Sequence, residues 1–190
     1  MMRLAKRLRA RQEVQFLFVG DGSEVPRLNA QTGAEGLKNV SIHSAVGQQE
    51  YLAMLSEFDV GLISLDRNLK TQNFPGKMLG YMYYAMPILA SINPGNDLKE
   101  ILETHGAGLV SVNGDDDLLY EHALRLVESP GERRRIGVNG GKLLEGISSV
   151  SRAAERILAA CHDTAAQRAR EERRHACQGS NGNRENGQWG

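Results

Sequence analysis

Pro75, Gly76 and Lys77 stand together in the stretch from Leu69 to Ser91, LKTQNFPGKMLGYMYYAMPILAS, and their types point to phosphate chemistry. Proline has a fixed φ and no N–H, so Pro75 belongs in the first turn of a helix, with Asn73 before it as a favourable N-cap. Gly76 leaves the backbone bare beside N–H groups that lack intrahelical partners. The helix dipole adds partial positive charge there, and Lys77 adds a full one. Such an end attracts phosphate. From Pro87 the apolar segment PILAS reads as a strand buried on both faces, which fits a parallel sheet whose ligands bind at the carboxyl ends of its strands.

Other residues with chemical potential carry less. Gly20, Asp21 and Gly22 follow the apolar run VQFLFV as a tight turn that a ligand can approach, and Ser23 is placed to cap the next helix. The dinucleotide fingerprint G-x-G-x-x-G would need a third glycine where Val25 stands, so no NAD site is expected. His43 ends a strand with no carboxylate nearby in sequence and reads as a packed or hydrogen-bonded histidine rather than a base. Asp115 to Asp117 are consecutive, whereas calcium loops alternate their ligands, so they read as helix-capping acids. Cys161 and Cys177 lack a second ligand pair and read as free thiols. Neither a metal nor a bound cofactor is expected.

The elements that must position these residues alternate along the chain. Strands are expected at 14–19, 39–44, 60–64, 87–91 and 107–112, with helices between them, hence an α/β doubly wound parallel sheet. The loops at its carboxyl ends are Gly20 to Ser23, Ser44 to Gln48, Asp66 to Gly76 and Ile92 to Asn96. The helix after Gly47 turns Tyr51, Leu52, Leu55 and Phe58 to its apolar side. Asn96 caps NDLKEILETHG, and Gly106 stops it. A basic helix from Pro130 to Glu145 is expected to break at Gly140 and Gly141. A helical extension follows to about residue 177, then a polar tail over 178–190 expected to be disordered. The first residues, MMRLAKRLRARQ, form an amphipathic helix whose basic face is either solvated or laid on an anionic membrane.

With 41% hydrophobic and 24% charged residues among 190, the composition is that of a globular domain. The 23 basic and 23 acidic side chains cancel, which argues against a nucleic-acid partner. No apolar run approaches the roughly 20 residues of a membrane span, so a cytoplasmic location is expected.

In order, FLFVGDG, NVSIHSAVGQQEYLAMLSEFDVGLISL, NFPGKMLGYMYYAMPILAS and GAGLVSVNGDD resemble the C-terminal, donor-binding half of GT-B retaining glycosyltransferases of family 4. The likeness is particularly to enzymes that build bacterial O-antigen and capsule. The resemblance covers about residues 2 to 158 and implies a Rossmann-like donor domain over 1–158, followed by the extension at 159–177 and the tail at 178–190. It implies a nucleotide-sugar donor, UDP-linked, as substrate rather than cofactor. Val46 and Gly47 would meet the nucleobase, and Gln72, Asn73, Phe74, Pro75, Gly76 and Lys77 would wrap the diphosphate and sugar. The acceptor would bind an N-terminal half across a cleft. Lipid-linked acceptors of the family imply contact with the inner membrane.

The same alignment shows departures. Two family glutamates, one for the sugar and one for the ribose, fall at Gln72 and Gly80, and neither is a carboxylate here. Loss of a charge-assisted bond of this kind costs roughly 1.5–3 kcal/mol. The family's phosphate-clamping Arg and Lys lie on a first strand that would precede Met1. A sheet lacking that strand would expose an apolar seam. The chain therefore reads as a donor-half fragment inactive by itself. A non-catalytic subunit serving a separate acceptor-domain protein, or an unrelated nucleotide-binding α/β module, are the alternatives.

Overall fold

The computed structural model describes residues 1–70 and 74–148. The expected extension, the polar tail, both cysteines and the loop positions Thr71, Gln72 and Asn73 lie outside the described residues. Met1–Leu144 forms one compact unit, and a second, Glu145–Gly190, is described only where the last helix enters it. The expected boundary at residue 158 falls outside as well.

All five expected strands form, four of them a residue or two shorter than expected and β4 shifted by one residue: β1 (Phe16–Val19), β2 (Val40–His43), β3 (Gly61–Ser64), β4 (Ile88–Ile92) and β5 (Gly108–Val112). Every pairing is parallel. The helices α1 (Met2–Arg7), α2 (Val25–Glu35), α3 (Gln48–Glu57), α4 (Lys77–Tyr83), α5 (Leu98–Thr104), α6 (Asp116–Glu128) and α7 (Pro130–Ser148) separate and follow them. Instead of one sheet there are two, β1–β2 and β3–β4–β5. No ladder joins β1 to β3. Leu17, Phe18 and Val19 of β1 and Leu62 of β3 are only partly buried, whereas every residue of β4 is buried.

The register sorts the three-stranded sheet into two faces. Leu62, Leu89 and Leu109 share one row and pack in a core with Leu4, Ala5 and Leu8 of the N-terminal segment, Phe16 of β1, and Leu119, Ala123 and Leu126 of α6. The next row, Ile63, Ala90 and Val110, faces the opposite way into a core with Met78 and Met82 of α4 and Leu98 and Leu102 of α5. Helices thus cover both faces, as a parallel sheet requires.

Several local expectations change. Ser23 does not cap α2, whose N-cap is Glu24, with Pro26 in the first turn supplying the fixed φ. Leu52 is 39% exposed, so the buried side of α3 narrows to Leu55, with Tyr51 and Phe58 partly covered. His43 is exposed rather than packed. The helix from Pro130 does not break at Gly140 and Gly141. Those glycines face Met82, and a Cβ on Gly137 would lie 1.7 Å from the Ala85 carbonyl oxygen, so the glycines serve a close helix crossing instead of a stop.

Other expectations hold. Asn96 Oδ1 accepts the Leu98 N–H at 3.0 Å, and Gly106 ends the helix at φ 58. Asp115 Oδ1 accepts the Leu118 N–H at 3.1 Å, the capping role expected of that acidic run.

Candidate functional site

The strands end toward loops that a set of amides ties down. The Asn113 amide donates to the Leu65 carbonyl at 3.3 Å and to Ser91 Oγ at 3.0 Å, which binds the ends of β3, β4 and β5 together. Asn93 donates to the Leu69 carbonyl at 2.9 Å, and Asn96 donates to Asn93 Oδ1 at 3.0 Å. Both are buried, so these bonds also satisfy polar groups that would otherwise be costly. Asp66 Oδ1 accepts the Asn68 N–H at 2.7 Å and starts the turn that sends the chain outward. The start of the loop from Asp66 to Gly76 is therefore fixed. Nothing in the sequence singles out Asn93 or Asn113, because a buried amide is recognisable only from the carbonyls it meets.

Where that loop returns, α4 begins at Lys77 with Gly76 as its N-cap residue, two positions later than Pro75 led one to expect. Its opening bonds run from the Met78 N–H to the Pro75 carbonyl and from the Leu79 N–H to the Gly76 carbonyl, so the first turn is tight. A Cβ on Gly76 would meet nothing within 4 Å, which leaves that backbone open to approach. Phe74 is 41% exposed beside it. Lys77 keeps an exposed surface, yet desolvation among neighbouring protein atoms lowers the pKa of its ammonium. Of the expected diphosphate loop, Phe74, Pro75, Gly76 and Lys77 are thus contiguous and accessible, while Gln72 and Asn73 lie outside the described residues.

On the other sheet, β2 runs into Val46 and Gly47, and Gly47 is the N-cap residue of α3 in an extended conformation. Tyr51 lies in the following turn. A Cβ built on Gly80 would stand 3.9 Å from the Tyr51 hydroxyl and 3.3 Å from Leu55 Cδ1. The side chains of Tyr51 and Leu55 on α3 are therefore neighbours of Gly80 on α4. Tyr81, on the next position of α4, lays its ring against Gly61 and donates from its hydroxyl to the Leu62 carbonyl at 3.4 Å. Burial pushes its phenol up to about 12. Gly20 and Gly22 form the expected open turn: Gly20 has φ 149 and donates its N–H to the His43 carbonyl, and a Cβ placed on either glycine would meet nothing within 4 Å.

Two other concavities fit an anion poorly. A cleft of about 530 Å³ beside β4 and β5 is walled by Asp97, Glu100 and Glu103. A depression of about 370 Å³ is lined by Arg3, Lys6 and Arg7, whose charges already face acids: Arg3 holds Asp116 at 2.6 Å, Lys6 holds Glu35 at 3.0 Å and Arg7 holds Asp117 at 2.8 Å. Arg11 likewise meets Glu13 and Glu128. The basic face of α1 and the turn after it is largely spent within the molecule. No described helix is long and apolar enough to cross a membrane.

The structure is similar to that of a sucrose-phosphate synthase from Thermosynechococcus elongatus, with a TM-score of 0.61 and 19% identity over 86% of this chain and 42% of that one. It is also similar to WaaG, a glycosyltransferase involved in lipopolysaccharide biosynthesis, with a TM-score of 0.59 and 15% identity over 77% of this chain and 38% of that one. The chain thus spans about two-fifths of either structure, and its parallel α/β architecture is that of a Rossmann-like half of GT-B glycosyltransferases. No curated protein matches the sequence. A family profile matches residues 1–129, more than half of the chain, and by that match the chain belongs to the family of glycosyl transferases group 1.

Proposed function

We propose that this chain is the donor-binding part of a retaining glycosyltransferase and that it holds a UDP-linked sugar where α3 meets α4. The observation that supports this reading is the approach of Tyr51, one turn after the Val46–Gly47 loop, to Gly80, one turn after the start of α4. In this reading the nucleobase rests on the backbone of Val46 and Gly47, the ribose lies at Gly80, and the diphosphate lies on Gly76 and Lys77, with Gln72 and Asn73 at the sugar.

Transfer with retention passes through an oxocarbenium-like sugar as its bond to the diphosphate breaks. The protein's part is to hold the charge that gathers on the leaving phosphate. The start of α4 and the Lys77 ammonium supply that charge. A desolvated ammonium gains from an anionic partner, so nucleotide binding should raise the lowered pKa of Lys77.

The acceptor belongs to a second half, in the same or another polypeptide, as the partial span of the matched structures suggests. Exposed Phe74, Leu79 and Tyr83 at 41%, 40% and 75% offer that half apolar surface on and beside α4. A bacterial surface polysaccharide as product, and a lipid-linked acceptor at the inner membrane, rest on the sequence blocks quoted above. With Gly80 in place of a carboxylate, the chain is expected to bind donor without transferring sugar alone. Calorimetric titration with UDP tests the reading: saturable heat supports it, and no heat at millimolar nucleotide removes it.

A further inference from the structure

We propose that Tyr51 is a specificity residue of this site: its phenol hydroxyl makes the contact to the nucleotide's ribose that Gly80, having no side chain, cannot make. The inference rests on the donor-binding reading above and adds a residue that the sequence assigned only to the apolar side of α3.

Three observations place Tyr51 in this role. Among the described residues, beyond its chain neighbours and its own helix backbone, the only heavy atoms within 4 Å of a Cβ built on Gly80 are Leu55 Cδ1 and the Tyr51 hydroxyl oxygen, so Tyr51 supplies the polar atom they place at that point. The neighbouring phenol, Tyr81, is already engaged with the Leu62 carbonyl, whereas the Tyr51 hydroxyl makes no hydrogen bond with a described residue. Finally, Tyr51 is part-buried, and desolvation raises its pKa, so at neutral pH it keeps the proton it donates. A tyrosine hydroxyl both donates and accepts, as do the two hydroxyls of a ribose, so one phenol can serve either of them or both. The helix also ties this contact to the base: Tyr51 lies one turn after Gly47, and its N–H bonds to the Gly47 carbonyl at 2.9 Å.

The test is a calorimetric comparison of UDP, 2′-deoxy-UDP and 3′-deoxy-UDP on the full chain and on Tyr51→Phe, which removes one oxygen and keeps the ring. A neutral hydrogen bond of this kind is worth about fivefold in affinity, so Tyr51→Phe should bind UDP about fivefold more weakly than the native chain. The native chain should also discriminate against at least one deoxynucleotide, and that discrimination should vanish in Tyr51→Phe, because the two deletions remove the same bond. Unchanged UDP affinity in Tyr51→Phe overturns the proposal. So does an equal loss for UDP and both deoxynucleotides, which would make Tyr51 a support of the fold and not a ribose contact. Either result leaves the donor reading standing, whereas absence of UDP binding by the native chain overturns both.

Discussion

The two sheets follow the same parallel logic and differ in what covers them. In the three-stranded sheet the central strand β4 is buried along its whole length, and three amides fasten the loops that leave it. In the two-stranded sheet only Phe16 of β1 and Val40 of β2 are buried, and the remaining side chains keep at least partial contact with water. The better-covered sheet carries the loop that returns at Phe74–Lys77, and the less covered one runs into Val46 and Gly47. No ladder links the sheets; they share the core around Phe16, Val40 and Leu89, and α3 meets α4 at Leu55, Tyr51 and Gly80. The sheets thus differ in cover, and the loops that leave the better-covered one are those tied by buried amides.

The largest test of this contrast is a pair of truncations. Ile88→Ala, at a wholly buried position of β4, should cost about 4 kcal/mol of unfolding free energy in urea titrations, and Leu17→Ala on β1 only about 1 kcal/mol. Equal costs would dissolve the distinction between the sheets. Next, Gly137→Ala should destabilise by about 3 kcal/mol, since the added methyl overlaps the Ala85 carbonyl and α7 must move off α4. Gly33→Ala, on α2 with open space around it, should instead stabilise by about 0.5 kcal/mol. Asn113→Ala should cost about 2 kcal/mol by releasing Leu65 and Ser91, and should weaken UDP by loosening the loop that returns at Phe74–Lys77. Loss of stability without loss of affinity would separate the platform from the site.

Gly80→Glu should tighten UDP about tenfold, near 1.4 kcal/mol, through a charge-assisted bond to the ribose, once Leu55 yields a few tenths of an ångström. Unchanged affinity would show that the ribose lies elsewhere. The smallest effect concerns pH. Arg3 holds the Asp116 carboxyl below its ordinary value of 3.8, so the pair stabilises the fold above that value and its contribution fades as pH falls through the lower folded-state value. Both side chains are more than a third exposed, so solvent screening limits the loss to about 0.5 kcal/mol, measurable as a small shift in the urea midpoint between pH 5 and pH 2 and absent in Asp116→Asn.

Much of the fold was legible in the sequence because parallel strands are short, apolar and punctuated by glycine and asparagine, as around PILAS and GLVSV. Helix ends at Asn96, Gly106 and Asp115 were legible because capping is a local interaction. The continuity of α7 was not, since a glycine that ends a helix and one that lets two backbones meet look alike until the partner, here Met82 or Ala85, is known. Two of the ion pairs that neutralise α1, Arg3 with Asp116 and Arg7 with Asp117, join residues more than a hundred positions apart, beyond what local spacing reveals. Near the candidate site, a helix start around Pro75 to Lys77 could be read from local chemistry, although α4 begins two positions later. The approach of Tyr51 to Gly80 could not, because it joins two helices far apart in sequence.

Chemical-shift mapping of UDP on the isotopically labelled chain tests the central claim most directly. A site formed where α3 and α4 begin predicts saturable shifts in both Val46–Tyr51 and Gly76–Gly80, with the cleft beside Asp97, Glu100 and Glu103 unaffected. Shifts confined to one of those two segments, or centred on the acidic cleft, would contradict it.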